Sequence, residues 1–278
     1  MTRSKKIADT VLFVIMCVLS VVFLAPLFIV LMNSFKGNLY IADAPFAFPT
    51  KETFVFMDNY FNGLSKTGFL KSFGWSLFIT VFSVLVIVLG TSMSAWYITR
   101  VKNKLTKFLY YLFAFSMIVP FQMVMFTMSK MANILNLDNP VGIIVIYLGF
   151  GAGLSVFTFS GFIKTIPVDI EESAMIDGCK PLQTFFRVVF PILRPTAISV
   201  AILNAMWIWN DYLLPYLVIG SKYRTIPIAI QYLKGGYGSI DMGAMMAMLV
   251  LAIVPIVIFY LVCQKYIIKG VIEGAIKF

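Results

Sequence analysis

Histidine is absent from this chain of 278 residues. That excludes any mechanism in which an imidazole moves the proton. Cysteine is scarce: Cys17, Cys179 and Cys263 lie far apart, and the first and last fall inside apolar runs. Neither a zinc-ligand spacing nor a disulfide framework can be drawn from them. No GxxxxGK[ST] loop for phosphate is present either. If the protein uses ATP, another chain binds it. Charge is thin, at 12% of residues, with 12 acids against 22 bases. The net charge of +10 does not point to nucleic acid. The bases are scattered at the ends of apolar runs, without a basic stripe or recognition motif. The alternating segments of about ten residues that build a membrane barrel are also missing.

What fills the chain is apolar: 60% hydrophobic residues and a mean hydropathy of +0.93. Soluble domains hold about 45–50%. Long runs account for the excess. Val11 to Met32, interrupted only by Ser20 and Pro26, makes a helix of about 33 Å, enough to cross a hydrocarbon core of about 30 Å. Arg3, Lys5 and Lys6 precede it, but the run is too long for the apolar core of a signal peptide. The residues after it make a poor cleavage site, so it reads as an uncleaved first span. The class is all-α and polytopic, with six transmembrane helices expected at 11–32, 73–97, 108–130, 141–163, 196–219 and 243–264. Lysine and arginine then give orientation. Fourteen fall in the N-tail, the 98–107 and 164–195 loops and the C-tail, and eight on the other side. The bias places both termini and the 164–195 loop in the cytoplasm, in a cell (plasma or inner) membrane. The external connection, 33–72, carries Pro45, Pro49 and the aromatics Phe46, Phe48, Phe54, Phe56, Tyr60 and Phe61. It reads either as a linker packed on the outer surface or as a piece that closes that face or meets an extracytoplasmic partner. Pro26, Pro120, Pro215 and Pro255 fall inside spans, and each invites a kink.

One polar stretch interrupts this pattern: Glu171 to Pro195, EESAMIDGCKPLQTFFRVVFPILRP. A helix is expected to start with Thr165 or Ile166 as its cap and Pro167 in its first turn. Asp169, Glu171 and Glu172 would follow at the positive end of its dipole. Ile170, Ala174 and Met175 would share an apolar face, and Gly178 would end the helix in a left-handed conformation. Pro181 would begin a second segment with Phe185, Phe186, Val188 and Val189 on its apolar side, stopped by Pro191 and Pro195. Two readings remain open on these residues alone. The pair is an interfacial hairpin that caps the bundle, or a site that meets a partner. The carboxylates argue against lipid docking, because an anionic leaflet attracts bases.

This stretch resembles the cytoplasmic signature of ABC importer permeases: E-A-A, three residues, G, nine residues, I-x-L-P. Glu172-Ser173-Ala174 precedes Gly178 at that spacing, and nine further residues lead to Val188-Val189-Phe190-Pro191. Ser173, Val188 and Phe190 are mild departures. Ile176-Asp177-Gly178, Pro191, Pro195, Ser34-Phe35-Lys36, Asn59-Tyr60, Trp209-Asn210-Asp211 and Gly270 to Lys277 look like the sugar-importing branch, the maltose-type inner-membrane permeases. The resemblance implies the transmembrane domain of a type I importer, with an N-terminal span and external loop over 1–72. The core would be 73–278, with a coupling loop at 164–195. It implies that Glu172, Ala174, Met175, Ile176, Gly178 and Pro191 couple the chain to an ATPase. Glu172 would make a charged contact, Gly178 the turn, and Met175 and Ile176 the docking surface. The chain would be a transport subunit and not an enzyme, with no cofactor of its own. ATP and Mg would sit on two ATPase subunits. A second permease, expected to be a different chain, and an extracytoplasmic solute-binding protein would complete the machine. The cargo would be a sugar or oligosaccharide.

Polar residues inside the spans are the candidates for the path. Asn204, Trp207 and Asp211 recur at three and four residues in span five, with Asn210 beside them. Asp211 would lie about 22 Å from the cytoplasmic end of that span, where an acid needs a partner or water. Either it pairs with a neighbouring helix, or the group lines a pathway whose amides and aromatic rings suit a sugar. Gln122 follows Pro120 in span three. Three rivals remain. The coupling loop leaves open an importer of another solute such as a polyamine. An ion-coupled transporter would want more buried acids and repeated halves. An intramembrane enzyme would want paired carboxylates.

Overall fold

The computed structural model describes residues 3–233 and 240–275, with side chains for 9–233 and 240–264. In chain order the helices are α1 Arg3–Asn33, α2 Asn38–Asp43, α3 Asp58–Thr67, α4 Phe69–Arg100, α5 Lys104–Ser116, α6 Phe121–Ile134 and α7 Gly142–Ile163. Then come α8 Asp169–Ile176, α9 Pro181–Thr184, a π-helical turn Phe185–Val189, α10 Phe190–Ile192 and α11 Arg194–Asn210. The last are α12 Leu213–Val218, α13 Ile226–Gln231 and α14 Met242–Ala275. Among the described residues the only strand-like pairing is one bridge, Lys36 with Phe54. The protein is all-α. Four helices are long and apolar enough to cross a membrane, and two bent pairs raise the count to six.

The expected third and fifth spans are not continuous. The third breaks into α5 and α6, which meet at 107°. Pro120 stands directly ahead of α6 with extended backbone, and a residue before proline is driven out of the helical region. The fifth stops at Asn210. Asp211 turns extended there, and α12 begins afresh at Leu213. The break puts Pro215 in the first turn of α12, where a missing N–H costs nothing. In a continuous helix it would have left a carbonyl bare. Pro26 and Pro255 lie within unbroken helices.

Two compact units divide the chain: Met1–Leu70 with Ala229–Pro255, and Lys71–Ile228 with Ile256–Phe278. In the first, α1 exposes its apolar side chains along most of its length, Phe23 by 77%. The residues after it are fixed by polar contacts. Asn59 is buried, and its Nδ2 donates to the carbonyls of Ser34 and Lys36, both at 2.8 Å. The Ser34 and Tyr60 hydroxyls share a 2.8 Å hydrogen bond, and the Phe35 and Tyr60 rings lie 5.5 Å apart. The Ser34-Phe35-Lys36 and Asn59-Tyr60 pieces of the sequence therefore meet each other. Lys66 Nζ pairs with Asp241 Oδ2 at 2.5 Å. Burial alone would raise the Asp241 carboxyl. Hydrogen bonds from Lys66 and the Ala244 N–H, with the Lys66 charge, outweigh it and hold the group below the usual carboxylate range.

The second unit is built on α7, the most enclosed of the four long helices. Lipid offers helices no hydrophobic gain on association, so close approach through small residues has to hold them. A Cβ on Gly153 would come within 2.8 Å of the Phe113 carbonyl oxygen on α5. One on Gly151 would meet Ile87 of α4 and Asn204 of α11, each at 2.8 Å. Two apolar clusters follow. Val156, Phe159 and Ile163 of α7 pack with Val88 and Ala95 of α4, Phe185, Val189, Leu193 and Val200. Ile143, Ile146 and Tyr147 pack with Ile79 and Ile87 of α4, Ile208 and Leu214.

Replacing Asn59 by Ala should leave the Ser34 and Lys36 carbonyls without their donor and destabilise the fold by about 2–3 kcal/mol. Ser34→Ala, which removes the hydroxyl bonds to Tyr60 and to the Leu31 carbonyl, should cost about 1 kcal/mol. Thermal unfolding in detergent measures both, and equal costs would contradict the assignment.

Candidate functional site

The segment between α7 and α11 divides into a buried base and an exposed tip. After α7 the chain turns at Pro167, and α8 starts at Asp169 with Val168 as its cap. This is later than expected. Pro167 keeps Ile166 out of helical geometry, and the Ile166 carbonyl is taken by Arg100 Nη2 at 3.0 Å. Asp169, Glu171 and Glu172 all fall in the first turn of α8, as expected. Its end is a Schellman motif: the Cys179 N–H donates to Ala174 O and the Gly178 N–H to Met175 O, each at 3.0 Å. Gly178 has φ +87°, a conformation that only glycine adopts without strain.

Glu171 is the residue that sequence reasoning undervalued. It is 3% exposed. Arg100, at the end of α4, donates to its Oε1 from Nε at 2.9 Å and from Nη2 at 2.6 Å. Trp96, one turn earlier, donates from Nε1 to Oε2 at 2.8 Å. The Trp96 ring also lies 5.5 Å from that of Phe185, on the far arm of the same segment. One tryptophan thus holds both arms. Phe185, Val189 and Leu193 are fully buried, while Phe186 is half exposed, so the expected apolar side of the second segment is split. The π turn lets Pro191 lie inside the helical run, not at its end. The Phe190 N–H reaches back five residues to Phe185 O, and the chain bends by 78° only at Leu193.

Against this fixed base the tip faces outward. Glu172, Met175, Ile176 and Gly178 are exposed, Ile176 by 86%, and Ala174 is partly covered. Ile170 and Met175, expected to share an apolar face, are both exposed. An acid and bare aliphatic side chains on a rigid mount suit docking to another protein surface.

Two of the span-five candidates, Trp207 and Asp211, are joined by another residue that the sequence did not flag, Tyr147 of α7. It is fully buried. Its hydroxyl donates to Asp211 Oδ2 at 3.1 Å, and its ring meets that of Trp207 edge to face at 5.4 Å. Asp211 Oδ1 accepts the Leu213 and Leu214 N–H groups at 3.0 and 3.3 Å, which starts α12. Asn204 is buried, and its amide donates to Ser155 Oγ at 3.2 Å and Val200 O at 2.9 Å. Trp207, Asn210 and Gln122 are exposed. Among the described residues no group of His, Cys, Asp and Glu could hold a metal.

Residues 87–273 match the family model of the binding-protein-dependent transport system inner membrane component. The chain belongs to that family. It is 38% identical over 261 residues, 94% of each chain, to the "Probable starch degradation products transport system permease protein" of Thermoanaerobacterium thermosulfurigenes. It is 35% identical to the multiple sugar-binding transport system permease protein of Streptococcus mutans, with both chains fully covered. The crystal structure of a bacterial ABC transporter involved in alginate import has the same fold. It superposes with a TM-score of 0.80 at 23% identity, over 96% of this chain and 98% of that one. This permease is therefore a transport subunit. The part of the resemblance drawn from Gly270 to Lys277 lies outside the residues whose side chains are described.

The clamp makes a checkable statement about this permease. Glu171→Gln and Arg100→Met should each destabilise it by about 3 kcal/mol, because each strands a buried partner. The double variant should cost clearly less than the sum. Denaturant unfolding of the purified complex reads the cycle, and additive costs would show that the two residues do not act together.

Proposed function

We propose that this chain is the membrane-spanning subunit of an ATP-driven importer that carries a sugar or oligosaccharide into the cytoplasm. The observation that carries the coupling role is the tip of α8: an exposed acid and exposed Met175 and Ile176 on a base that Arg100, Trp96 and the Phe185 cluster hold still. In this reading 164–195 is the cytoplasmic coupling loop of a core over 73–278. Both termini are cytoplasmic, and 1–72 supplies the first span and an external loop. Glu172 makes the charged contact with a separate ATPase, and Met175 and Ile176 fill its cleft. Ala174 and Gly178 shape the tip, and Pro191 sets the second arm. When two ATPase subunits close on ATP and Mg, the loop moves as a body and tilts the helices attached to it. A second permease, a different chain, and an extracytoplasmic solute-binding protein complete the assembly.

The cargo reading rests on the relatives, among them a melibiose, raffinose and stachyose import permease of Bacillus subtilis that is 30% identical over 256 residues. We assign the path to Gln122, Trp207 and Asn210, with Asp211 behind them. Rings and amides suit the faces and hydroxyls of a sugar. We place Asn204 behind that lining, buried with its amide on Ser155 of α7.

The test is uptake by proteoliposomes holding the permease, its partner permease, the ATPase and the binding protein. Labelled starch-derived oligosaccharides should enter with ATP, and putrescine should not. Glu172→Lys and Gly178→Val should cut ATP-driven uptake by about tenfold or more, the second because a β-branched residue resists positive φ. Full uptake in both variants would overturn the coupling role. Putrescine uptake would overturn the cargo and leave the coupling intact.

A further inference from the structure

A hollow of about 540 Å³ opens where α4 ends and α5 begins. Lys102, Lys104 and Lys107 line it from the connecting loop and the first turn of α5, and Lys164 enters from the end of α7. No acid lines it. All four lysines are exposed, and none forms an ion pair among the described residues. The nearby acid, Glu171, is already occupied by Arg100 and Trp96. Tyr110 forms part of the wall, with Lys164 Nζ 5.1 Å from its ring centre. The Thr99 hydroxyl, also in the lining, has no hydrogen-bond partner among the described residues. Four lysines lining one hollow without an acid make it electropositive, and an anion bound there would relieve the repulsion among them.

Simple retention of bases at one membrane face would be met by scattered lysines. Here Lys164 and the 102–107 set, far apart in sequence, converge on the same space. A second feature narrows the class of anion. From the rim of the hollow, α5 carries Leu105, Phe108, Leu112 and Phe115 at helical spacing, exposed by 58, 62, 48 and 61%. A free phosphate would satisfy the lysines and leave this stripe bare. A molecule with an anionic head and hydrocarbon tails would cover both.

We propose that the hollow binds the phosphate headgroup of an anionic phospholipid, with its acyl chains along the Leu105–Phe115 stripe of α5. The site needs only that α5 and α7 lie in a bilayer, and it is independent of the cargo. Basic hollows between membrane helices recognise acidic headgroups by charge, and each lysine near the surface strengthens the attraction several-fold.

The assembled transporter in nanodiscs of phosphatidylcholine with phosphatidylglycerol provides the test. Native mass spectrometry after partial delipidation should show phosphatidylglycerol retained over phosphatidylcholine. Lys102→Gln, Lys107→Gln and Lys164→Gln combined should reduce that preference by about tenfold or more. A charge-matched control, Lys51→Gln, Lys71→Gln and Lys222→Gln, should leave it unchanged. Equal retention by wild type and the hollow variant would overturn the site. Displacement of the retained lipid by millimolar inorganic phosphate would reassign it to a free anion and overturn the lipid reading. In the unmodified protein, photoactivatable phosphatidylglycerol should label α5 and the Lys164 region. Labelling spread evenly over the spans would overturn the proposal even if the triple variant failed to fold.

Discussion

The clamp formed by Trp96, Arg100 and Glu171 is the interaction on which the rest of this permease depends. It joins the last turn of α4 to the first turn of α8, and through the Trp96 and Phe185 rings to the second arm of the loop. A buried ion pair adds little net stability, because desolvation offsets most of its attraction. What it supplies is geometry. The bidentate guanidinium admits one orientation of the carboxylate, and the indole N–H fixes the other oxygen. A short helix outside the bundle core would otherwise fray, since eight residues are too few to hold helical structure alone. With its base held, α8 can present Glu172 and Ile176 as a surface of defined shape.

The packing beneath this clamp follows from the same need for stiffness. A force applied at the tip reaches the membrane only if the loop and the helices under it do not deform separately. Phe185, Val189 and Leu193 enter the cluster that also holds Phe159 and Ile163, so the second arm is continuous with α7. Gly151 and Gly153 let α4, α5 and α11 come against α7 at near-backbone distance. Two of the spans that join this block are broken. α5 and α6 part at Pro120, and α11 and α12 at Asp211. Gln122 lies just past the first break, and Trp207 and Asn210 just before the second. Helix breaks lining a cavity are tolerated in membranes where protein or water satisfies the freed backbone. Asp211 does this for Leu213 and Leu214.

What could be read from the sequence was local. The Glu172 to Gly178 to Pro191 spacing was legible because a helix, its left-handed end and a following proline are rules of neighbouring residues. The spans were legible because lipid demands long apolar runs. Orientations between distant segments were not. Arg100 and Glu171 are 71 residues apart, and each alone looked like an ordinary charge at a helix end. Tyr147 gave no signal, being one of five aromatics in an apolar helix, yet it joins Trp207 to Asp211. Pro120 and Pro215 announced irregularity without saying whether a helix would bend or stop. Pro26 and Pro255 announced the same and stayed within continuous helices. The late start of α8 was hidden for a similar reason. Only the Arg100 contact to the Ile166 carbonyl shows why the turn at Pro167 is held open.

The central claim is that α8 and the end of α4 move as one body. Spin labels at exposed positions 97 of α4 and 173 of α8 (Tyr97→Cys and Ser173→Cys in a background without Cys17, Cys179 and Cys263) measure it by pulsed electron resonance in the assembled transporter. The account predicts one narrow distance distribution that stays the same with and without ATP, and that broadens when Arg100 is replaced by Met. A distribution that shifts on ATP binding in the otherwise unmodified protein would contradict it.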